Sequence, residues 1–343
     1  MNREVDFVHI GPERHGVRRY GELLDRAVSD LTSTGRLAIG ERDPRCFATP
    51  TSDQVCAATV HLQFSDYLLA LPDFVSLVER LRRDQHRRRI VVTLHDCPGV
   101  GHDDDEVDSR RATTYAAVAG LADATVVSSH HERCALQRLG IATPLEAIPH
   151  LVEHRRVPVG RSEPANPTPL RVGALGFVYP GKGHRQLIDA CARTEHDVEV
   201  LVLGGASPGH EDLVEDLVEH AARLGVGATV TGWLEEADLD RWLVEIEVPV
   251  VAHPSPSASG SLATWLSSGR RPLVAANGYT SELEDLAPGA TCRFDATAGP
   301  AALAAAIDAA CDDPPMTHRS GPPRQLAPSC IGGAHLALYR GLR

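Results

Sequence analysis

From Leu170 to Cys311 the chain alternates between short apolar runs and stretches with helical spacing. Strand-like runs near 170–177, 198–204, 228–232, 248–252, 272–276 and 290–294 are separated by helix-like ones near 183–193, 210–224, 236–246, 260–268, 280–286 and 300–311. Such alternation specifies a mostly parallel sheet covered by helices on both faces. The helical spacing is clearest in Leu213, Val214, Leu217, Val218, Ala221 and Leu224, which read as one apolar stripe.

The first half repeats the theme less regularly. Val5–Ile10 reads as a strand, the polar loop GPERHG follows, and Gly16 opens a helix with Val17, Tyr20, Leu24, Ala27 and Val28 at helical spacing. Arg36 to Ala58 is poorly patterned and admits only short strands. Thr59–Phe64, Ala124–Val127 and Leu145–Ile148 read as further strands, and Ile90–Leu94 delivers His95 and Asp96 at its carboxyl tip. Ligands of open α/β sheets sit at that end of the strands.

With 343 residues the chain suits two domains of ordinary size. The proline-bearing stretch between Pro149 and Pro169, with Pro158, Pro164, Asn166 and Pro167, reads as the linker. The expected division is 1–155, 168–313 and a tail, 314–343, that is proline-rich from Pro314, turns helical at Ala334–Tyr339 and packs back on the first domain.

A formal charge of −12 argues against nucleic acid as a partner, since backbone phosphates demand excess Lys and Arg. No secretory leader or membrane-length apolar run is visible, so the expected location is the cytoplasm. The basic run Arg80, Arg82, Arg83, Arg87, Arg88 and Arg89 reads either as a solvated helix end or as weak peripheral contact with the inner membrane face. Cys46, Cys56, Cys97, Cys134, Cys191, Cys292, Cys311 and Cys330 form no CxxC pair and read as reduced core residues. No metal is expected. His95, Asp96, His102, Asp103, Asp104 and Asp105 are dense enough for a metal but fit an acidic helix start better.

The chemistry concentrates in LRVGALGFVYPGKGHRQLIDA, Leu170–Ala190. A buried strand, the glycine turn of Gly176, Gly181, Lys182 and Gly183, and a helix start together make an anion site, with Lys182 supplying the full charge. Gly176 to Lys182 also fits the P-loop spacing. Gly183, however, stands where a Ser or Thr must hold magnesium, and the next strand, VEVLVLGG, lacks an acidic end.

The order and spacing of GVRRYGELL, VVTLHD, ATVVSSHHE, IPHLV, the glycine-lysine turn, VTGWLEEADLDRWL, SASGSLATWLSSGRRPLVA and the closing HLALYRGL resemble the GT-B glycosyltransferases, most closely the retaining family-4 group. The resemblance spans nearly the whole chain. It implies two Rossmann-like domains facing an interdomain cleft, with a nucleotide-sugar donor held by the second domain and a saccharide or lipid-linked acceptor by the first. It further implies transfer with retention, without metal and without a cofactor beyond the donor. Lys182 matches the diphosphate lysine and His95 the histidine lining the sugar site, the two residues expected to be catalytic. Gly16 matches the glycine of the N-terminal loop. Gly260, Ser261 and Leu262 match the helix start that contacts the donor, with Gly181, Gly183, Ser257 and Ser259 beside them. Phe177 stands near the family's arginine, and Ser257 and Trp265 stand where its two glutamates fall. Those departures keep two alternatives open: a catalytically degenerate binder of a sugar nucleotide or partner, and a GT-B sugar-nucleotide epimerase. Trp265 either packs on the nucleoside or fills the core, because Leu262, Trp265 and Leu266 share one helical face.

Overall fold

The computed structural model describes residues 3–39, 55–84, 88–100, 105–157 and 169–342. They divide into two compact units, one of residues 1–151 with 325–343 and one of residues 152–324. The proline-bearing linker positions 158, 164, 166 and 167, Cys46, Arg87 and His102–Asp104 lie outside the described residues.

The first unit runs β1 (Val5–Ile10), α1 (Gly16–Ser29), β2 (Thr34–Ile39), β3 (Thr59–Phe64), α2 (Leu71–Asp84), β4 (Arg89–Leu94), α3 (Asp105–Leu121), β5 (Ala124–Val127), α4 (His130–Arg138) and β6 (Leu145–Ala147). The second runs β7 (Leu170–Leu175), α5 (His184–Cys191), β8 (Val198–Leu203), α6 (Asp212–Arg223), β9 (Gly227–Val230), α7 (Glu236–Glu245), β10 (Val248–Val250), α8 (Gly260–Ser267), β11 (Leu273–Ala275), α9 (Gly278–Leu286), β12 (Cys292–Phe294) and α10 (Pro300–Asp312). A last helix, α11 (Pro328–Gly341), belongs to the first unit and packs on α1.

Each unit holds one six-stranded sheet, ordered β2-β1-β3-β4-β5-β6 and β12-β11-β10-β7-β8-β9, and every pairing is parallel. Strand order reverses between β1 and β3 in the first and between β7 and β10 in the second. At such a reversal the connections leave in opposite directions, so a crevice opens at the carboxyl ends of the two strands. Both stretches singled out from sequence, the loop after β1 and the glycine turn after β7, lie at these reversals.

The two faces of the first sheet differ. Val8, Ile10, Val60, Leu62, Phe64, Ile90, Val92 and Leu94 form an apolar core with Phe74, Leu77 and Tyr115 of α2 and α3. The alternate positions carry His9, His61, Gln63, Thr93 and His95, all buried on the other face. Buried polar groups need partners. That face therefore sets a hydrogen-bonded group of polar side chains beside an apolar cluster in which Val5, Phe7, Val91 and Val126 pack against Tyr20 and Leu24 of α1 and Leu336 of α11.

Several expectations change. β2 fills part of the poorly patterned region; its sequence signal is broken by Gly35, where a methyl would stand 2.1 Å from Asp6 Oδ1. The closing helix starts at Pro328, not Ala334, with Pro at its first turn. Gly332 and Gly333 hide it from sequence, and Gly332 is needed because a methyl there would meet the Ala27 carbonyl oxygen at 2.8 Å. The α6 stripe is only half covered: Ala221 is buried, whereas Val218 and Leu224 are exposed. Cys97 and Cys191 are buried as expected, but Cys56, Cys134 and Cys330 are exposed.

The basic run does structural work. Arg88 is buried, with Nη1 donating to the Leu81 carbonyl and Nη2 to the Val55 carbonyl, both at 2.7 Å. Arg82 donates to Asp123 Oδ2 at 3.0 Å, and the same oxygen accepts from the Ile90 N–H at 2.7 Å, which ties α2 to the start of β4. Among the described residues no helix is long and apolar enough to cross a membrane, and no cluster of His, Cys, Asp and Glu is arranged to hold a metal ion.

Candidate functional site

In the second unit the anion-binding groups converge at the tip of β7. Gly176 has φ +109, a conformation that L side chains rarely adopt, and a methyl on it would stand 3.2 Å from Ser261 Oγ, 3.8 Å from Lys182 Cε and 3.9 Å from Lys182 Nζ. Lysine, serine and the first turn of α8 therefore surround one point. Ser261 donates its hydroxyl to the Leu175 carbonyl at 2.8 Å, fixing the start of α8 on the end of β7. Lys182 is held with Nζ 5.5 Å from the centroid of the Tyr179 ring. Backbone N–H groups in a helix's first turn have no intrahelical partner and carry the positive end of its dipole, so an oxyanion there meets them together with the ammonium.

The glycines of the turn serve different ends. Gly181, φ +83, is exposed, with nothing within 4 Å of where a side chain would stand. Gly183, φ +89, is buried as the cap of α5, and a methyl there would fall 1.8 Å from the Ala252 carbonyl oxygen after β10. It is needed for packing, not for the approach of an anion. Gly183→Ala is expected to lower the unfolding free energy by roughly 2–4 kcal/mol, while Gly181→Ala costs about 1–2 kcal/mol, the left-handed penalty alone. Denaturant titration of both variants checks this; equal losses would mean that the turn is not seated on β10.

The backbone at the start of the turn follows the neighbouring strand. Val178 pairs with Ala206 in a parallel bridge, its N–H bound to the Gly205 carbonyl at 2.8 Å and its carbonyl to the Ser207 N–H at 2.9 Å. The Val178 N–H is thus spent on the neighbouring strand and is not offered to a phosphate.

Around the α8 start, Ser259 is the cap: its hydroxyl accepts from the Leu262 N–H at 3.3 Å. Gly260 is exposed, while Ser257 is half-buried in a loop held by Asn277, which donates to the Pro256 carbonyl at 2.8 Å. Ala258 within that loop has φ +41. Trp265 is fully buried, so it fills the core. The position where the resemblance places a glutamate thus points away from solvent. An aromatic pair missed in the sequence lies at the same edge. Phe177 and Trp233 follow β7 and β9, their ring centroids are 6.3 Å apart at 32°, and each is more than a third exposed. Glycines let the loops beneath them close: Gly204 would touch the Gly176 carbonyl oxygen at 2.2 Å, and Gly205 would reach Gly232 at 3.5 Å.

In the first unit the carboxyl tips present His95, Asp96 and the loop ahead of α1. Arg18 is buried and ties that loop down, with Nη1 on the Gly11 carbonyl at 2.6 Å and Nε on Glu22 at 2.9 Å. His15 caps α1, its Nδ1 accepting from the Val17 N–H at 3.3 Å, and Gly16 stands exposed as the first helical residue. Asp96 adopts φ +50, unusual for a non-glycine residue. Three bonds hold it there. Ser65 Oγ donates to its Oδ2 at 2.6 Å, Arg111 donates to its carbonyl, and the Tyr115 hydroxyl donates to the His95 carbonyl, the last two at 2.5 Å. Arg111 is itself fixed by Asp66 at 2.7 and 2.8 Å.

His95 is buried against Tyr20 and His150. Burial, reinforced by nearby His15, lowers its pKa to about 3, so the ring is neutral. It cannot meet the charge of a phosphate. At neutral pH it offers one N–H and one lone pair. In the second unit His184 is neutral for a similar reason, its pKa lowered to about 4 by burial and then by Lys182.

No protein-family model matches the sequence, and no curated protein matches it. Solved structures do. HepE of Anabaena, in complex with UDP-glucose, is 14% identical with a TM-score of 0.69, covering 98% of this chain and 96% of that one. Sucrose-phosphate synthase of Thermosynechococcus elongatus is 16% identical with a TM-score of 0.69, covering 98% and 94%. A glycosyltransferase of Rickettsia africae is 12% identical with a TM-score of 0.68, covering 100% and 99%. At these identities the likeness is one of architecture, and with its two parallel six-stranded sheets this chain has the GT-B glycosyltransferase fold.

Proposed function

We propose that this chain is a hexosyl-type glycosyltransferase that takes its sugar from a nucleoside diphosphate sugar, with retention and without metal, and passes it to a hydroxyl of a saccharide or lipid-linked acceptor. The observation that carries this reading is the convergence of Gly176, Lys182 Nζ and the Ser261 end of α8 at the strand-order reversal. The complex of HepE with UDP-glucose supports the choice of ligand.

The diphosphate sits against Lys182 and the N–H groups of the α8 first turn. These donors are in place before the glycosidic bond breaks, and they meet the charge that grows on the departing diphosphate. Phe177 and Trp233 offer the base an aromatic face, which binds by stacking and does not read base edges. In the first unit neutral His95 accepts from a hydroxyl of the sugar or the acceptor, and Asp96 lies beside it.

A second reading has its own observation. Ser257 bears no carboxylate and Trp265 is buried, so the two positions where the resemblance places glutamates supply no acidic group. That favours a protein that binds a sugar nucleotide without turning it over. Calorimetry with nucleoside diphosphates and nucleotide sugars in the presence of chelator, followed by assay of donor hydrolysis, separates the two. Binding with turnover supports the transferase, and binding without turnover supports the second reading. If no nucleotide binds, both readings fall.

A further inference from the structure

The polar face of the first sheet contains a continuous hydrogen-bonded path that ends at His95. Residues 61 and 63 of β3 point to one side, as do 93 and 95 at the end of β4, and Gln63 is paired with Thr93. His61 Nδ1 lies 2.7 Å from the Tyr339 hydroxyl of α11, and its Nε2 lies 2.8 Å from Thr93 Oγ1 and 3.5 Å from Gln63 Nε2. At the other end of the amide, Gln63 Oε1 is 2.8 Å from His95 Nε2. His61 is fully buried, and Gln63 and His95 very nearly so.

We infer that Gln63 is a positioning residue: clamped between His61 and His95, its amide holds His95 in the Nε2–H tautomer and leaves Nδ1 as the lone pair offered to a hydroxyl-bearing ligand. A neutral imidazole carries one proton and an amide NH₂ only donates, so the His61 Nε2 that faces it must accept. His61 then bears its proton on Nδ1 and donates to Tyr339, while the Thr93 hydroxyl donates to Nε2. An amide oxygen only accepts, so His95 must present Nε2–H to it. Turning the amide over would require both histidines to change tautomer together. The amide therefore couples them, and the coupled network runs from the strand tip to the Tyr339 hydroxyl of α11.

The other groups facing His95 are His15, the cap of α1, Tyr20 of α1 and His150. A lone pair at Nδ1 selects a hydroxyl over an anion, which suits a sugar or acceptor hydroxyl; that ligand assignment rests on the proposed function, while the tautomer does not.

The test is long-range proton–nitrogen correlation NMR on the full chain labelled at histidine nitrogens, without ligand. Wild type is expected to show His95 as a single Nε2–H tautomer at neutral pH. Gln63→Leu should lose that single form. Gln63→Glu should keep it, since a carboxylate also accepts, and should raise the His95 pKa. An Nδ1–H tautomer in wild type, or an unchanged Nε2–H form in Gln63→Leu, overturns the inference. If Gln63→Leu does not fold, the wild-type and Gln63→Glu spectra decide. Failure of nucleotide sugars to bind leaves this result standing, so the two proposals fail separately.

Discussion

Lys182→Ala is expected to weaken binding of a nucleoside diphosphate by about 1.5–3 kcal/mol, roughly 10- to 150-fold, the scale of a hydrogen bond to a charged group. The ammonium stands at the mouth of a cradle that only glycine can leave open, beside Ser261 and the α8 start. Its charge has two effects there. It favours an anion, and it helps keep His184 neutral. The variant should therefore lose affinity and raise the His184 pKa, whereas Lys182→Arg should keep most of both. Calorimetry and histidine NMR measure the two effects independently. Unchanged affinity together with a raised His184 pKa would show that the cation is placed as described but that the diphosphate binds elsewhere. A nucleoside monophosphate supplies a useful contrast: if Lys182 meets the second phosphate, its removal should cost the monophosphate less.

What was legible in the sequence follows from how many neighbours define each feature. The central strands β8, β10 and β11 of the second unit are apolar in sequence because they are buried on both faces, so the alternation of strands and helices revealed the parallel sheet and the position of its glycine turn. Lys182 could be picked out because a helix start next to a strand end is a local pattern, whereas Ser261 came only from the resemblance. The reason for Gly183 could not, because it lies in the carbonyl of Ala252, which is distant in sequence. Phe177 and Trp233 are separated by two strands and two helices, and nothing local marks them as a pair. The histidine layer was equally hidden. His61, Gln63, Thr93 and His95 look like polar interruptions of good strands until β3 and β4 are laid side by side. Tyr339 and His335 come from a helix near the other end of the chain that two glycines disguise.

That layer sets the second large effect, the response to acid. Burial lowers the pKa of both His95 and His335 to about 3, and it holds His61 well below its ordinary value. His335 is fully buried, and neither of its ring nitrogens has a hydrogen-bond partner among the described residues. In the unfolded chain these rings titrate near 6.5. Between that value and about 3 the unfolded state binds protons that the folded state refuses, so stability is complete above the unfolded pKa and declines as pH falls through the window. At pH 5 each ring costs about 2 kcal/mol, and His95 and His335 together cost about 4 kcal/mol, a large share of ordinary domain stability. All three tryptophans, Trp233, Trp242 and Trp265, lie in the second unit, where among the described residues His184 is the one buried histidine. Acid titration is therefore expected to show far-ultraviolet circular dichroism falling before tryptophan fluorescence changes. His335→Leu, which removes a ring without hydrogen-bond partners from an otherwise packed site, should move the first transition to lower pH. Coincident transitions, or a midpoint that this substitution leaves unmoved, would show that the histidine layer is not what fails in acid.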